Sequence, residues 1–128
     1  MPKDTARYFE WLHRAADGGN SEAALQLALH YEAGEGREKD QARAARYYRQ
    51  AAEAGFEEAW LRWGLCLAEG KGTPKDAAEA VKWYKKAFYR LDPEAALMLS
   101  ECYERGEGVK KNTELATELR QLVEPGGE

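Results

Sequence analysis

Three side chains with metal-binding or nucleophilic potential, His30, Cys66 and Cys102, stand at intervals of 36 residues. An imidazole and two thiols could hold a zinc ion, or pair as base and nucleophile, if they converged on one point. The interval argues against convergence. Gly34 and Gly36 return as Gly70 and Gly72, then as Gly106 and Gly108, at the same 36-residue step. The His/Cys position is therefore one site of a repeat, stacked on successive units. Neighbouring packed helices lie about 8–10 Å apart. A disulfide needs Cα atoms within about 7 Å, and zinc needs ligands about 2.0–2.3 Å from one centre. The three residues read as semi-buried packing positions. His13 lies in a separate N-terminal segment. The Gly-x-Gly stretches could cradle a phosphate, but such a loop follows a strand, and here a helical pattern precedes it. No Ser/His/Asp or Cys/His spacing suggests a nucleophile, and glutamates on helix surfaces usually form a solvated face. The expectation is a non-enzyme with no metal and no cofactor.

The elements that hold these residues follow from the repeat. Shifting the sequence by 36 aligns Ala23, Ala59 and Ala95, and Leu25, Leu61 and Leu97. Each unit reads as two helices, the first over 21–34, 57–70 and 93–106, the second over 40–54, 76–91 and 112–124. Apolar residues recur at helical spacing, as Ala24, Leu27, Ala28 and Tyr31 do. Asn20, Asp92-Pro93, Asp40, Asp76 and Asn112 are natural helix starts. Asp76 with Glu79 resembles a capping box. Phe56 offers no cap. The first glycine of each pair suits a left-handed helix end, and the second relaxes the turn. Residues 4–18 match a second helix alone. The fold expected is all-α: an α-solenoid of antiparallel helix pairs, one half-repeat plus three 36-residue repeats. A single helical-repeat domain over 1–124 and a disordered tail over 125–128 complete it.

Composition excludes several classes. The chain has 128 residues, 33% charged and 44% hydrophobic, with a formal net charge of −4. Such a surface gains nothing from counterion release on a phosphate backbone, so no nucleic acid is expected. No apolar stretch is long enough for a membrane span. Nothing at the N-terminus resembles a signal peptide, and the expected location is the cytoplasm. Two cysteines make no disulfide framework.

The pattern Ala-x-x-x-Leu-Gly-x-x-Tyr-x-x-Gly-x-Gly, then Asp, then Ala-x-x-Trp-Tyr-x-x-Ala-Ala-x-x-Gly, resembles the Sel-one-like repeat, a relative of the tetratricopeptide repeat. Ala23, Leu27, Ala28, Tyr31, Gly34, Gly36, Asp40, Ala44, Tyr47, Tyr48, Ala51, Ala52 and Gly55 carry it in the first copy. Trp63, Gly64, Leu67, Gly70, Gly72, Asp76, Ala80, Trp83, Tyr84 and Ala87 carry it in the second. The third copy departs from the aromatic pair at Leu119-Arg120. The junction Arg90-Leu91-Asp92-Pro93 lacks the usual glycine, which leaves the local angle open. The resemblance implies a right-handed superhelix serving as a protein-binding adaptor. In bacteria it implies links to signalling, assembly or immunity against toxins.

In such a stack the first helices line the concave face. The residues expected there are Glu22, Leu25, Leu29 and Glu32, then Glu58, Leu61, Arg62, Leu65 and Glu69. Glu94, Leu97, Met98, Glu101 and Arg105 follow. Two readings stand for the leucines: an apolar groove rimmed by glutamates, or ladder packing between first helices. The groove reading expects a partner protein or peptide with apolar anchors and basic segments. An alternative is a bacterial immunity protein whose acidic surface masks a basic site on a toxin. An enzyme comes last. Tyr47-Tyr48 and Trp83-Tyr84 could be stacking platforms, but their spacing from the alanines puts them in the core. At the half-repeat, Phe9 and Trp11 are expected to form a secondary edge, supporting a monomer or a weak dimer.

Overall fold

The fold, given by a computed structural model, is described for residues 3–34 and 38–123. The expectations for Gly36 and for the tail at 125–128 lie outside these residues. The described chain forms helices α1 (Lys3–Asp17), α2 (Ser21–Ala33), α3 (Gln41–Glu53), α4 (Glu57–Glu69), α5 (Ala77–Tyr89), α6 (Pro93–Arg105) and α7 (Thr113–Val123), with no strand among the described residues. Each helix packs chiefly on its neighbours in the chain. Helices α2/α3, α4/α5 and α6/α7 make three hairpins, and α1 packs on α2 as the half-unit. The result is a solenoid of helix pairs. No helix among the described residues is long and apolar enough to cross a membrane.

Side-chain caps set the helix starts. Asn20, Asp40, Asp76 and Asn112 each accept from the backbone N–H three residues on, at 2.9–3.1 Å. Asp92 accepts from the Glu94 N–H at 3.0 Å, with Pro93 in the first turn. Phe56 makes no side-chain cap. The capping box expected at Asp76 and Glu79 is only half present. The Asp76 N–H donates instead to the Leu67 carbonyl at 2.8 Å, and the Glu79 carboxylate pairs with Lys82 at 3.5 Å. This long-range bond recurs as Asp40 to Tyr31 at 2.9 Å and Asn112 to Tyr103 at 2.8 Å. Each second helix is thereby pinned to the last turn of its first helix, so the backbone donor that a capping box would use is already taken.

The glycine pair divides its work. Gly70 ends α4 in the left-handed region at φ 69°, as Gly34 and Gly106 do for α2 and α6. Gly72, at φ 72°, is a contact between units: a Cβ there would lie 2.0 Å from the Gln41 carbonyl oxygen at the start of α3. Gly108 meets Ala77 of α5 in the same way, at 2.3 Å. The second glycine therefore does more than relax a turn. It lets the α4–α5 and α6–α7 loops seat on the backbone of the unit before.

At the junctions between units, Gly19 and Gly55 take φ values of 98° and 92°, and Leu91 takes the same left-handed region at 66°. The following N–H bonds match as well: Asn20 to Ala15, Phe56 to Ala51 and Asp92 to Ala87, at 2.9–3.2 Å. The third junction keeps the turn without the glycine. Between the layers, alanines such as Ala51, Ala59, Ala80 and Ala95 are buried and let helices approach. Tyr47, Tyr48, Trp83 and Tyr84 are buried among them, which settles their place as core.

Candidate functional site

On the first-helix face, a cavity of about 420 Å³ is lined by Leu25, Leu29, Glu58, Leu61, Arg62 and Leu65, with Gln26, Asp92 and Glu94 completing it. Helical spacing positions its floor. Leu25 and Leu29 lie one turn apart on α2, and Leu61 and Leu65 repeat the pair on α4. The four leucines differ in burial. Leu25 and Leu61 are 5% and 9% exposed and belong to the buried core, while Leu29 and Leu65 are half-buried and leave apolar surface on the floor. Two carboxylates from α4 and α6, Glu58 and Glu94, are exposed along one side. They stand at the same repeat position as Glu22, in the first turn of each first helix. Anionic side chains there are favoured by the helix dipole, so the acidic row is built into the repeat.

Glu32 and Arg62 tie adjacent units together. The Tyr48 hydroxyl donates to Glu32 at 2.5 Å, and Arg62 stands 3.9 Å from the same oxygen. Burial, and then the bond to Glu32, holds the Tyr48 hydroxyl well above its ordinary range. Glu32, Glu69, Leu97, Met98, Glu101 and Arg105 are outside the cavity lining, as is Glu22. Glu69 pairs with Lys71 at 3.3 Å, and Glu101 lies 3.9 Å from Arg105. The cavity thus gathers only part of the residues expected on this face.

Phe9 does not form an exposed edge. It is 1% exposed and meets the His30 ring edge-on, with centroids 5.0 Å apart. Trp11, two positions on and facing another way, is 59% exposed. His30 also pairs with the Tyr8 hydroxyl at 3.2 Å. Cys66 is buried and Cys102 half-buried, both as free thiols. Burial pushes each thiol up to about 11, so neither offers a thiolate near neutral pH. Among the described residues, no group of three His, Cys, Asp or Glu side chains is placed to hold a metal ion.

One cluster was not foreseen. His13 reaches the Tyr31 hydroxyl through Nε2 at 3.1 Å and the Tyr47 hydroxyl through Nδ1 at 3.3 Å. Arg43 donates to the Tyr31 hydroxyl at 3.2 Å, and the two tyrosine rings stack 6.1 Å apart. These bonds satisfy polar groups where the half-unit meets the first full unit. The aromatic repeat position gave Tyr47 but gave no sign of His13, which has no histidine counterpart in the other units.

With this geometry in view, similarity to known proteins is informative. The family model described as Sel1 repeat matches residues 1–20, 21–56, 58–90 and 93–119. No curated protein matches. Among solved structures, the chain is similar to a protective antigen of uropathogenic Escherichia coli displaying an SLR fold, at 30% identity and TM-score 0.84, covering 97% of this chain and 29% of the other. It is similar to a Sel1 repeat protein from Oxalobacter formigenes at 33% identity and TM-score 0.83, covering 94% and 49%. The chain thus spans less than half the length of either. Helicobacter pylori cysteine rich protein B, at 21% identity and TM-score 0.65, covers 98% and 90% and shares the fold. Four matched segments, the glycine-seated loops and the recurrent helix pairs lead to one conclusion: the chain belongs to the Sel1 repeat family, whose fold is typically a non-enzymatic scaffold for protein–protein interaction.

Proposed function

We propose that the chain is a non-enzymatic adaptor that holds an extended or helical segment of a partner protein on its first-helix face. The observation that carries this reading is the 420 Å³ cavity, with leucines on its floor and Glu58, Glu94 and Asp92 beside them. An apolar anchor of the partner covers Leu29 and Leu65, and a basic residue beside that anchor meets the carboxylates. Coulomb attraction at an exposed rim is modest and screened by salt, so the apolar floor supplies most of the affinity and the rim supplies selection.

Leu65→Glu tests this reading. Its side chain is only half-buried, so the helical circular dichroism and Tm should stay close to wild type. Affinity for a partner recovered with the wild-type chain should fall about tenfold or more, since a carboxylate would replace apolar contact. A folded Leu65→Glu chain with undiminished affinity would remove the groove from the account.

A further inference from the structure

A second cavity, of about 390 Å³, meets the groove at Asp92, which lines both, and is otherwise lined mainly by Phe88, Tyr89, Leu91, Ala96 and Leu122. Its meaning comes from the unit before. The residues 36 positions earlier are Ala52, Glu53, Gly55, Trp60 and Lys86. There the slot is filled. Trp60 donates its indole N–H to the Ala52 carbonyl at 3.2 Å, and the Lys86 ammonium stands 5.6 Å from the Trp60 ring centre. In the third unit Ala96 replaces Trp60 and Asp92 replaces Phe56, while Phe88 replaces Ala52, so the central indole is gone and an aromatic wall stands beside its place.

The surrounding positions change in the opposite direction. Glu53, Gly55 and Lys86 become Tyr89, Leu91 and Leu122, which are 74%, 89% and 66% exposed. Loss of the central indole alone would leave a defect. Loss of the indole together with a newly apolar rim makes a receptor for one. Leu91 adds an independent sign. It holds the left-handed conformation that glycine holds at the other two junctions, which costs a side-chain-bearing residue about 1–2 kcal/mol, and strain of this kind collects at functional sites. The hydrogen-bond acceptor is also kept. The Phe88 carbonyl accepts from the Leu91 N–H at 2.9 Å, as Ala52 accepts from Gly55 at 3.0 Å while also receiving the Trp60 indole. The cavity is continuous with the α5–α6–α7 junction, and its volume lies in the usual range for ligand pockets, about 300–1,000 Å³.

We infer that this cavity is a binding site for a tryptophan side chain of a partner protein, which takes the place Trp60 occupies one unit earlier. The indole packs against Phe88 and Leu122, and its N–H donates to the Phe88 carbonyl. Asp92 is the one lining residue this site shares with the first-helix groove, so substitutions at Leu122 or Ala96 test this site and Leu65→Glu tests the groove.

The test is titration of the full chain with N-acetyl-L-tryptophanamide, followed by backbone amide NMR, with N-acetyl-L-phenylalaninamide as the control lacking the donor. Saturable shifts at Phe88, Leu91, Ala96 and Leu122 are expected with the tryptophan compound, and weaker binding with the control. Ala96→Trp restores the side chain of the preceding unit, so it should abolish the shifts and raise Tm. If that variant does not fold, Leu122→Lys, which restores the preceding unit's lysine, should abolish them instead. Absence of saturable shifts would overturn the inference, and so would their persistence in the folded variant. Equal binding of the control would reduce the site to a nonspecific apolar hole and overturn the indole assignment. Self-association of the wild type that Ala96→Trp removes would make a second copy the occupant, which also overturns it.

Discussion

At Cys66 and Cys102 the controlling fact is desolvation. Burial disfavours the thiolate and raises both groups to about 11 from an ordinary value of 9.0. In the unfolded chain the thiols lose their protons first. Between about pH 9 and 11 the folded state therefore binds more protons than the unfolded state, and stability falls as pH rises through that window. Below pH 9 the thiols contribute no pH dependence. A Tm series from pH 7 to 11 should show a decline beginning near 9, and Cys66→Ala with Cys102→Ala should flatten part of it. Tyr48 and Tyr84, raised in the same direction by burial, account for a further decline above 10. If the double variant declines as steeply as wild type, the thiols are not desolvated as described.

At the scale of the element, loops and caps decide the geometry. Gly70→Ala meets nothing closer than the Lys75 Cβ at 3.4 Å, so it should cost only the left-handed penalty of about 1–2 kcal/mol. Gly72→Ala adds a backbone overlap at 2.0 Å that no side-chain rotation relieves, and should cost about 4 kcal/mol or more. Urea denaturation of the two variants separates turn strain from unit seating, and equal losses would contradict the seating role. Asp76→Ala should cost about 1 kcal/mol through its lost cap, whereas Glu79→Ala should stay within about 0.5 kcal/mol because its exposed partner is Lys82. Equal losses at Asp76 and Glu79, again by urea denaturation, would restore the full capping box. The helix starts at Asn20, Asp40, Asp76, Asp92 and Asn112 were legible in the sequence because a cap is local chemistry. The seating of Gly72 on Gln41 was not, because it depends on two segments far apart in the chain. The same holds for the half-present box, whose missing donor goes to Leu67, and for the left-handed turn kept at Leu91 without a glycine.

The whole molecule is a ladder in which one repeat position serves different ends in different units. His30, Cys66 and Cys102 share a position and no chemistry. Glu22, Glu58 and Glu94 share a position, and only the last two border the cavity. The first-helix face was legible as a set of leucines and glutamates. Its division into buried Leu25 and Leu61 and a half-buried floor at Leu29 and Leu65 was not, since it depends on how closely neighbouring first helices approach. Phe9 shows the same limit, because its burial depends on where α2 places His30. The most direct test of the adaptor reading is calorimetric titration of a partner recovered with the wild-type chain into Glu58→Lys/Glu94→Lys. Both positions are exposed, so the chain should stay folded, with Tm lowered modestly by two reversed helix-dipole interactions. Affinity is predicted to fall about tenfold or more at low salt, and by less as salt rises. Unchanged affinity in that variant, with loss on reversing Lys82 on α5 instead, would place the partner on the opposite face and contradict the account.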